Sequence, residues 1–336
     1  MKTNADNTKN SVMEGLTSLD NIYREEPLTL KDYSRMLHIK KKLWEKSIRD
    51  VVDRLRSLLR GKITEVHVLP DGMLLCLDDG RVYYNDDKDF FSPTYNLLRK
   101  GYDNVACEEL VVRCNLLDSN VIDIGANYGY YSVLFSKQVG KKGHVYAFEP
   151  NQEILPYLHK NLKLNHVDNV KIFPVAVSDR KGNEKLYYYS ERKACSSLRN
   201  ISKTESIIQD CVTLSLDEFV SENKINNVSC IKLDAEGAEF RCLIGASQLI
   251  SSQRPFLFIE ICNYHLEQFN DNADMVFKFL MDYNYCIYEQ EHGEIIDISQ
   301  WRKLGKIFDI FCCPREKYRR GIFYAKDTNK HDMYNV

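Results

Sequence analysis

Apolar and polar positions follow three successive patterns along the chain. Between Thr29 and Arg60 apolar residues recur at helical spacing, among them Met36, Leu37, Trp44, Ile48, Val51, Leu55 and Leu59, which predicts an amphipathic helical extension over 27–62. The residues before it, 1–26, are polar and read as a disordered tail. From Ile63 to Tyr84 short apolar runs are punctuated by Pro70-Asp71-Gly72 and Asp78-Asp79-Gly80, predicting antiparallel strands within a small β segment over 63–100.

Beyond Gly101 the pattern is that of a core domain, 101–317, followed by a polar tail over 318–336. A helix is expected over Val105–Leu117. Continuous apolar runs then suggest strands buried on both faces, at Val121–Ile124, His144–Phe148, Val170–Val177, Ser229–Leu233 and Pro255–Ile261. Shorter strands are expected at Glu184–Tyr189, Asp210–Leu216, Tyr285–Glu289 and Ile307–Cys312, with a polar loop around Ala194–Leu198. Helical spacing returns over Asn151–Leu164, where Asn151 is an N-cap candidate and Pro156 an interior kink, and over Ala273–Tyr283. Strands alternating with helices define an α/β fold with a mostly parallel sheet and right-handed crossovers, which binds ligands at the carboxyl ends of its strands. Asp123, Glu149, Asp234 and Glu260 lie at such ends.

Charge adds one local feature. The formal net charge is −2, so no global electrostatic case for nucleic acid exists. Between Lys31 and Lys62, however, eleven Lys or Arg face four acids. That basic face reads either as a contact surface for RNA, acidic glycan or membrane, or as the solvated side of a helix docked on the core or on a second subunit; the second reading is favoured. Eleven cysteines without a CxxC pair, several inside apolar runs, fit reduced thiols in a cytoplasmic protein. No run approaches a membrane span and the N-terminus lacks a signal-peptide core, so a soluble protein without a membrane segment is expected.

The chemistry concentrates in Asn120–Pro150. Strand, glycine turn (Gly125-Ala126-Asn127-Tyr128-Gly129), helix and a second strand ending on Glu149 have the spacing of a βαβ nucleotide site. The glycines are G-x-x-x-G rather than the G-x-G-x-x-G of a pyrophosphate cradle, and Asp123 before the turn would repel phosphate but suit a positively charged ligand. S-adenosylmethionine, with ammonium and sulfonium groups and no phosphate, fits both facts.

VIDIGANYGYYS, VYAFEP, IKLDAEGAE and the later FIEI resemble, in order and spacing, the FkbM family of S-adenosylmethionine-dependent methyltransferases over roughly Gly101 to Pro314. The resemblance implies a class I, Rossmann-like methyltransferase fold with a mostly parallel seven-stranded sheet. It implies that Asp123, Gly125, Ala126, Asn127 and Gly129 line the methionine end of the donor, that Glu149 takes the ribose hydroxyls, that Pro150 and Asn151 lie near its edge, and that Ala176, Val177 and Ser178, after the third strand, neighbour the adenine. Asp234 and Glu236 then stand where the methyl acceptor sits. They act as general base, or they hold a divalent cation that acidifies an acceptor hydroxyl, although no specific motif calls for a metal. His265 is an alternative base. Ser196 and Ser197 either touch substrate or belong to a surface loop. The expected reaction is O-methylation of a sugar, glycan or small metabolite. A nucleic-acid methyltransferase is the rival, disfavoured because Asp234-Ala235-Glu236-Gly237 replaces the Asn/Asp-Pro-Pro-Tyr box of base-methylating enzymes; a scaffold without activity is the second.

Overall fold

The computed structural model describes residues 63–69, 71–86, 111, 114–190, 192–202, 205–289, 299–303 and 306–317. All of these belong to one compact unit, Lys62–Val336. The expectations for 1–26, 27–62 and 318–336 fall outside the described residues, as does most of the helix expected over 105–117. By Asn115, with φ at +48°, the chain is no longer helical.

The central sheet has seven strands. β4 (Asn120–Ile124), β5 (His144–Phe148) and β6 (Val170–Phe173) run parallel on one side of β4, while β11 (Val228–Leu233) and β12 (Phe256–Cys262) run parallel on the other. β14 (Ile307–Pro314) is antiparallel and sits between β12 and β13 (Tyr285–Glu289). The order is therefore β6-β5-β4-β11-β12-β14-β13, and chain direction reverses its progress between β4 and β11. Crevices for ligands open at such a reversal, beyond the carboxyl ends of the strands.

Both faces of this sheet are covered, which is why its strands read as unbroken apolar runs. Val121, Val145, Cys230 and Phe258 point to one face and pack with Leu134, Phe135 and Val139 of helix α1 (Tyr130–Val139). Ile122, Phe148, Ile231, Leu233 and Ile259 point to the other. There they meet Leu216 and Phe219 of α3 (Leu216–Glu222), Cys242 and Leu243 of α4 (Glu239–Ile244), Ile250 of α5 (Ser247–Gln253), and Val276, Phe277 and Leu280 of α7 (Ala273–Asp282). The ten described cysteines are free, and most are buried within this packing.

Four expectations are corrected by local chemistry. The helix after β5, α2, spans Leu155–Leu164, so Pro156 occupies its first turn, where a missing N–H is harmless, and does not kink it. Asn151 instead accepts from the Glu153 N–H at 2.9 Å, closing a turn before the helix. The run Val170–Val177 divides at Pro174. Its second part, β7 (Ala176–Val177), joins a separate four-stranded sheet with β8 (Gly182–Tyr189), β9 (Arg192–Ser197) and β10 (Ile207–Leu214) in the order β7-β10-β8-β9. The supposed polar loop around Ala194 is thus mostly strand.

β1 (Ile63–Leu69), β2 (Gly72–Leu77) and β3 (Val82–Asp86) form an antiparallel sheet whose turns fall at the two predicted sites. Its β3 edge is met by a helix. Asn165 accepts from the Val82 N–H at 2.9 Å and donates to the Val82 carbonyl at 2.6 Å, and Asn161 accepts from the Tyr84 N–H at 2.7 Å and donates to its carbonyl at 3.3 Å. Residues i and i+4 on a helix and i and i+2 on a strand are both separated by about 6–7 Å, so the two side chains imitate one edge of a strand. Asn161 also donates to the Tyr128 carbonyl at 2.7 Å. Asn161→Ala is expected to destabilise the protein by about 2 kcal/mol, since it strands buried backbone groups. A thermal melt tests this, and an unchanged midpoint would show that the amide pairing contributes nothing.

Candidate functional site

At the β4–β11 switch a cleft open to solvent is walled by the ends of β4, β5 and β11 and roofed by β9. Its apolar part is Ile124, Phe148, Val175, Ala176, Val177, Leu186 and Leu198; its polar part includes Asn127, Ser196 and three carboxylates, Glu149, Asp234 and Glu236. No lysine or arginine is among the described residues that line it. A phosphate would meet repulsion here, whereas a flat heteroaromatic group with hydroxyls and a cationic end would not.

The donor side is built on the turn after β4. The N–H groups of Gly125 and Ala126 both donate to the Phe148 carbonyl at 3.0 Å, fastening the turn to the end of β5. Glu149, 5 % exposed, receives the Asn127 N–H on Oε2 and the Asn151 N–H on Oε1, each at 2.8 Å. Each oxygen keeps a lone pair for a ligand hydroxyl. Burial pushes the Glu149 carboxyl up to about 7 despite those two donors.

Of the residues expected at the donor, Gly125, Asn127, Glu149, Pro150, Ala176 and Val177 line the cleft, and Asp123, Ala126, Gly129, Asn151 and Ser178 do not. Asp123 is fully buried and accepts from the Ser132 hydroxyl at 2.6 Å, tying β4 to α1. Asn151 reaches the roof, donating to Ser196 Oγ at 2.7 Å and to the Lys193 carbonyl at 3.2 Å, and Asn127 donates to the Ala194 carbonyl at 3.0 Å. Two asparagines thus hold β9 over the cleft. Ser196 faces it, while Ser197 is buried and donates to the Glu236 carbonyl at 2.7 Å.

The acceptor side is the loop after β11. Glu236 and Gly237 have φ of +49° and +105°, and Glu239 Oε1 accepts from the N–H groups of Ala235 at 2.9 Å and Gly237 at 3.1 Å, so Glu239 braces the loop rather than entering the cleft. His265, on α6 (Asn263–Glu267), places Nδ1 3.0 Å from Glu236 Oε2. Burial opposes charge on this imidazole, but Cys262 and the Glu236 carboxylate beside it prevail and raise it to about 10. An imidazolium held in this way is a poor proton acceptor at neutral pH, which counts against His265 as the base. Asp234 faces the cleft with Oδ2 3.1 Å from Lys232 Nζ. Lys232 is the partner that sequence reading missed: on a strand buried on both faces, periodicity does not say which side a lysine occupies. Among the described residues, the group of three metal-ligand side chains with atoms within 4.8 Å of one another is Glu65, His67 and Cys76 on β1 and β2, and none of these lines the cleft.

These shifts set a pH dependence of stability. Glu149 and Glu239 are both raised by burial from about 4.5 to about 7, so between those values the folded state holds protons that the unfolded chain has released. Stability therefore falls as pH rises through that window, and His265 extends the fall from its unfolded value of 6.5 towards 10. At ~1.4 kcal/mol per pKa unit the ligand-free protein should lose a few kcal/mol between pH 5 and pH 8. Melting temperatures across that range test it; a midpoint that rises with pH would contradict the assignment.

Comparison with known proteins identifies the family of the chain. A family model described as the methyltransferase FkbM domain matches residues 123–295. The chain is 25 % identical over 163 residues to the 2-O-methyltransferase NoeI of Sinorhizobium fredii, an overlap of 44 % of this chain and 65 % of that protein. It is 23 % identical over 182 residues to the AMB antimetabolite synthetase AmbE of Pseudomonas aeruginosa, covering 43 % of this chain and 8 % of the synthetase. The chain thus spans just under two thirds of the first relative's length and less than a tenth of the second's. A crystal structure of methyltransferase FkbM from Methylobacillus flagellatus superposes with a TM-score of 0.38 at 18 % identity, over 58 % of this chain and 44 % of that one. No helix among the described residues is long and apolar enough to cross a membrane.

Proposed function

Because the chain belongs to the FkbM methyltransferase family, whose domain spans residues 123–295, we propose that it is an S-adenosylmethionine-dependent methyltransferase acting on a hydroxyl oxygen of a sugar, glycan or other small metabolite. The observation that carries this reading is the cleft itself, with three carboxylates, an apolar slot and no lysine or arginine among its described lining residues. When bound there, S-adenosylmethionine would supply a methyl group activated by a sulfonium.

The residues present fit that donor. Glu149 offers both carboxylate oxygens to vicinal ribose hydroxyls. Ala176, Val177 and Leu198 form an apolar slot for adenine, and Gly125 lets the ligand approach the turn. Asp234 and Glu236 supply negative charge beside the sulfonium end, and Asp234 accepts the proton of the incoming hydroxyl as general base. Positioning two reactants can contribute about 7–11 kcal/mol and a base about 3–5 kcal/mol, so Asp234→Asn should slow the reaction by roughly 10²–10⁴ without abolishing donor binding.

Oxygen as acceptor is supported by the 2-O-methyltransferase relative and by the acidic lining, which would repel an anionic acceptor such as nucleic acid. The first test is calorimetric titration with S-adenosylhomocysteine. We expect one micromolar site. Transfer of labelled methyl to neutral oligosaccharides should then give a base-stable ether; transfer to RNA in its place would return the rival reading to the front.

A further inference from the structure

Lys232 is a buried cation that the reading above does not use. Its side chain is 9 % exposed, and it emerges from β11 between the two halves of the site. Nζ donates to the Gly125 carbonyl at 3.0 Å and to Asp234 Oδ2 at 3.1 Å, lies 4.0 Å from Asp123 Oδ1, and stands 5.3 Å from the centre of the Tyr131 ring. Gly125 and Asp234 both line the cleft, one on the donor side and one on the acceptor side. A single ammonium therefore fixes a wall residue on each side, while its charge offsets the Asp234 carboxylate that would otherwise act unopposed on any cation in the cleft. Asp234 and Asp123, with Glu260, keep the lysine protonated although burial alone would lower its pKa.

Such an arrangement is unfavourable for simple binding. A site that only had to hold a sulfonium would gain by leaving the cleft-facing Asp234 uncompensated. Catalysis asks for something else, because transfer of the methyl group disperses positive charge away from sulfur, and negative charge that grips the cation in the ground state more than in the transition state slows the step. We propose that Lys232 is a positioning residue that also sets the charge balance of the site, limiting its preference for the cationic donor over the neutral demethylated product while holding Gly125 and Asp234 in register. The proposal rests on the donor reading given above.

S-adenosylmethionine and S-adenosylhomocysteine differ by one methyl group and one positive charge, so the ratio of their dissociation constants reports the balance without any acceptor. Calorimetry on the full chain should show the ratio moving by roughly tenfold in favour of S-adenosylmethionine in Lys232→Met, as expected for one charge a few ångströms behind the wall. Lys232→Arg should restore it. Asp234→Asn, which removes a carboxylate and keeps the lysine, should move the ratio the opposite way, and it decides the matter if Lys232→Met does not fold. Equal weakening of both ligands in Lys232→Met, or an unchanged ratio in Asp234→Asn, would reduce Lys232 to a structural ion pair and overturn the proposal while leaving the donor site standing. Absence of binding of either ligand to the wild-type protein would overturn the donor reading and this proposal together.

Discussion

Glu149→Ala should weaken S-adenosylhomocysteine binding by roughly 30- to 1000-fold, or about 2–4 kcal/mol. The carboxylate is 5 % exposed, at the floor of the cleft, and already orders both sides of it through the Asn127 and Asn151 N–H groups. Truncation removes the acceptor for two ribose hydroxyls and strands two backbone donors in the same step. Glu149→Gln keeps the shape but turns one acceptor into an amide donor facing a backbone N–H, so it should recover little. Calorimetry, with a melt to show that the variant is folded, measures both. Full affinity in a folded Glu149→Ala would place the ribose elsewhere.

Gly125→Ala should do more damage and do it differently. Gly125 has φ of +70°, a conformation that costs a residue with a Cβ roughly 1–2 kcal/mol. The added Cβ would also stand 1.9 Å from the Asp234 carbonyl oxygen. That contact is backbone on backbone, at a point where the Asp234 N–H donates to the Ile124 carbonyl at 3.2 Å, so neither partner can rotate away and β4 must part from β11. We expect a loss of about 4 kcal/mol or more of stability together with donor binding. Gly129→Ala provides the contrast: its Cβ would meet Leu158 Cδ1 at 2.6 Å, the end of a flexible side chain, and the strain at φ +85° is then the larger part of its effect. If the two variants melt alike, the close approach of β4 and β11 is not the constraint described.

How much of this was legible in the sequence varied with the kind of signal. The glycine turn and the acid at the end of the following strand were readable because each requires a rare residue at a fixed distance, and the cleft does form around Gly125, Asn127 and Glu149. Contact with the ligand was not separable from support behind it. Asp123 and Asn151 look like wall residues in one dimension, yet Asp123 binds Ser132 and Asn151 binds the roof strand. Both roles depend on which way a side chain turns once neighbouring elements arrive. Ala194, Cys195, Ser196 and Ser197 of β9 lack the bulky apolar residues of a strand and suggest a loop; pairing with β8 and the asparagine contacts override that weak propensity. His265 could be flagged by type, but its charge state follows from Glu236 and Cys262, which the fold brings to it.

The pair of amides on α2 reaches beyond local stability. An exposed strand edge is a template on which another copy of the chain can extend the sheet. Along β3, the Val82 and Tyr84 N–H groups and carbonyls are taken by Asn165 and Asn161, so that edge is closed to recruitment. Conversion of either asparagine to aspartate, the ordinary chemical ageing of this side chain, would exchange an amide donor for a carboxylate facing a carbonyl. It would reopen the edge and, at Asn161, release the Tyr128 carbonyl beside the donor turn. Self-association and loss of the ligand site would then appear together in stored protein, as two readings of one hydrolysed amide.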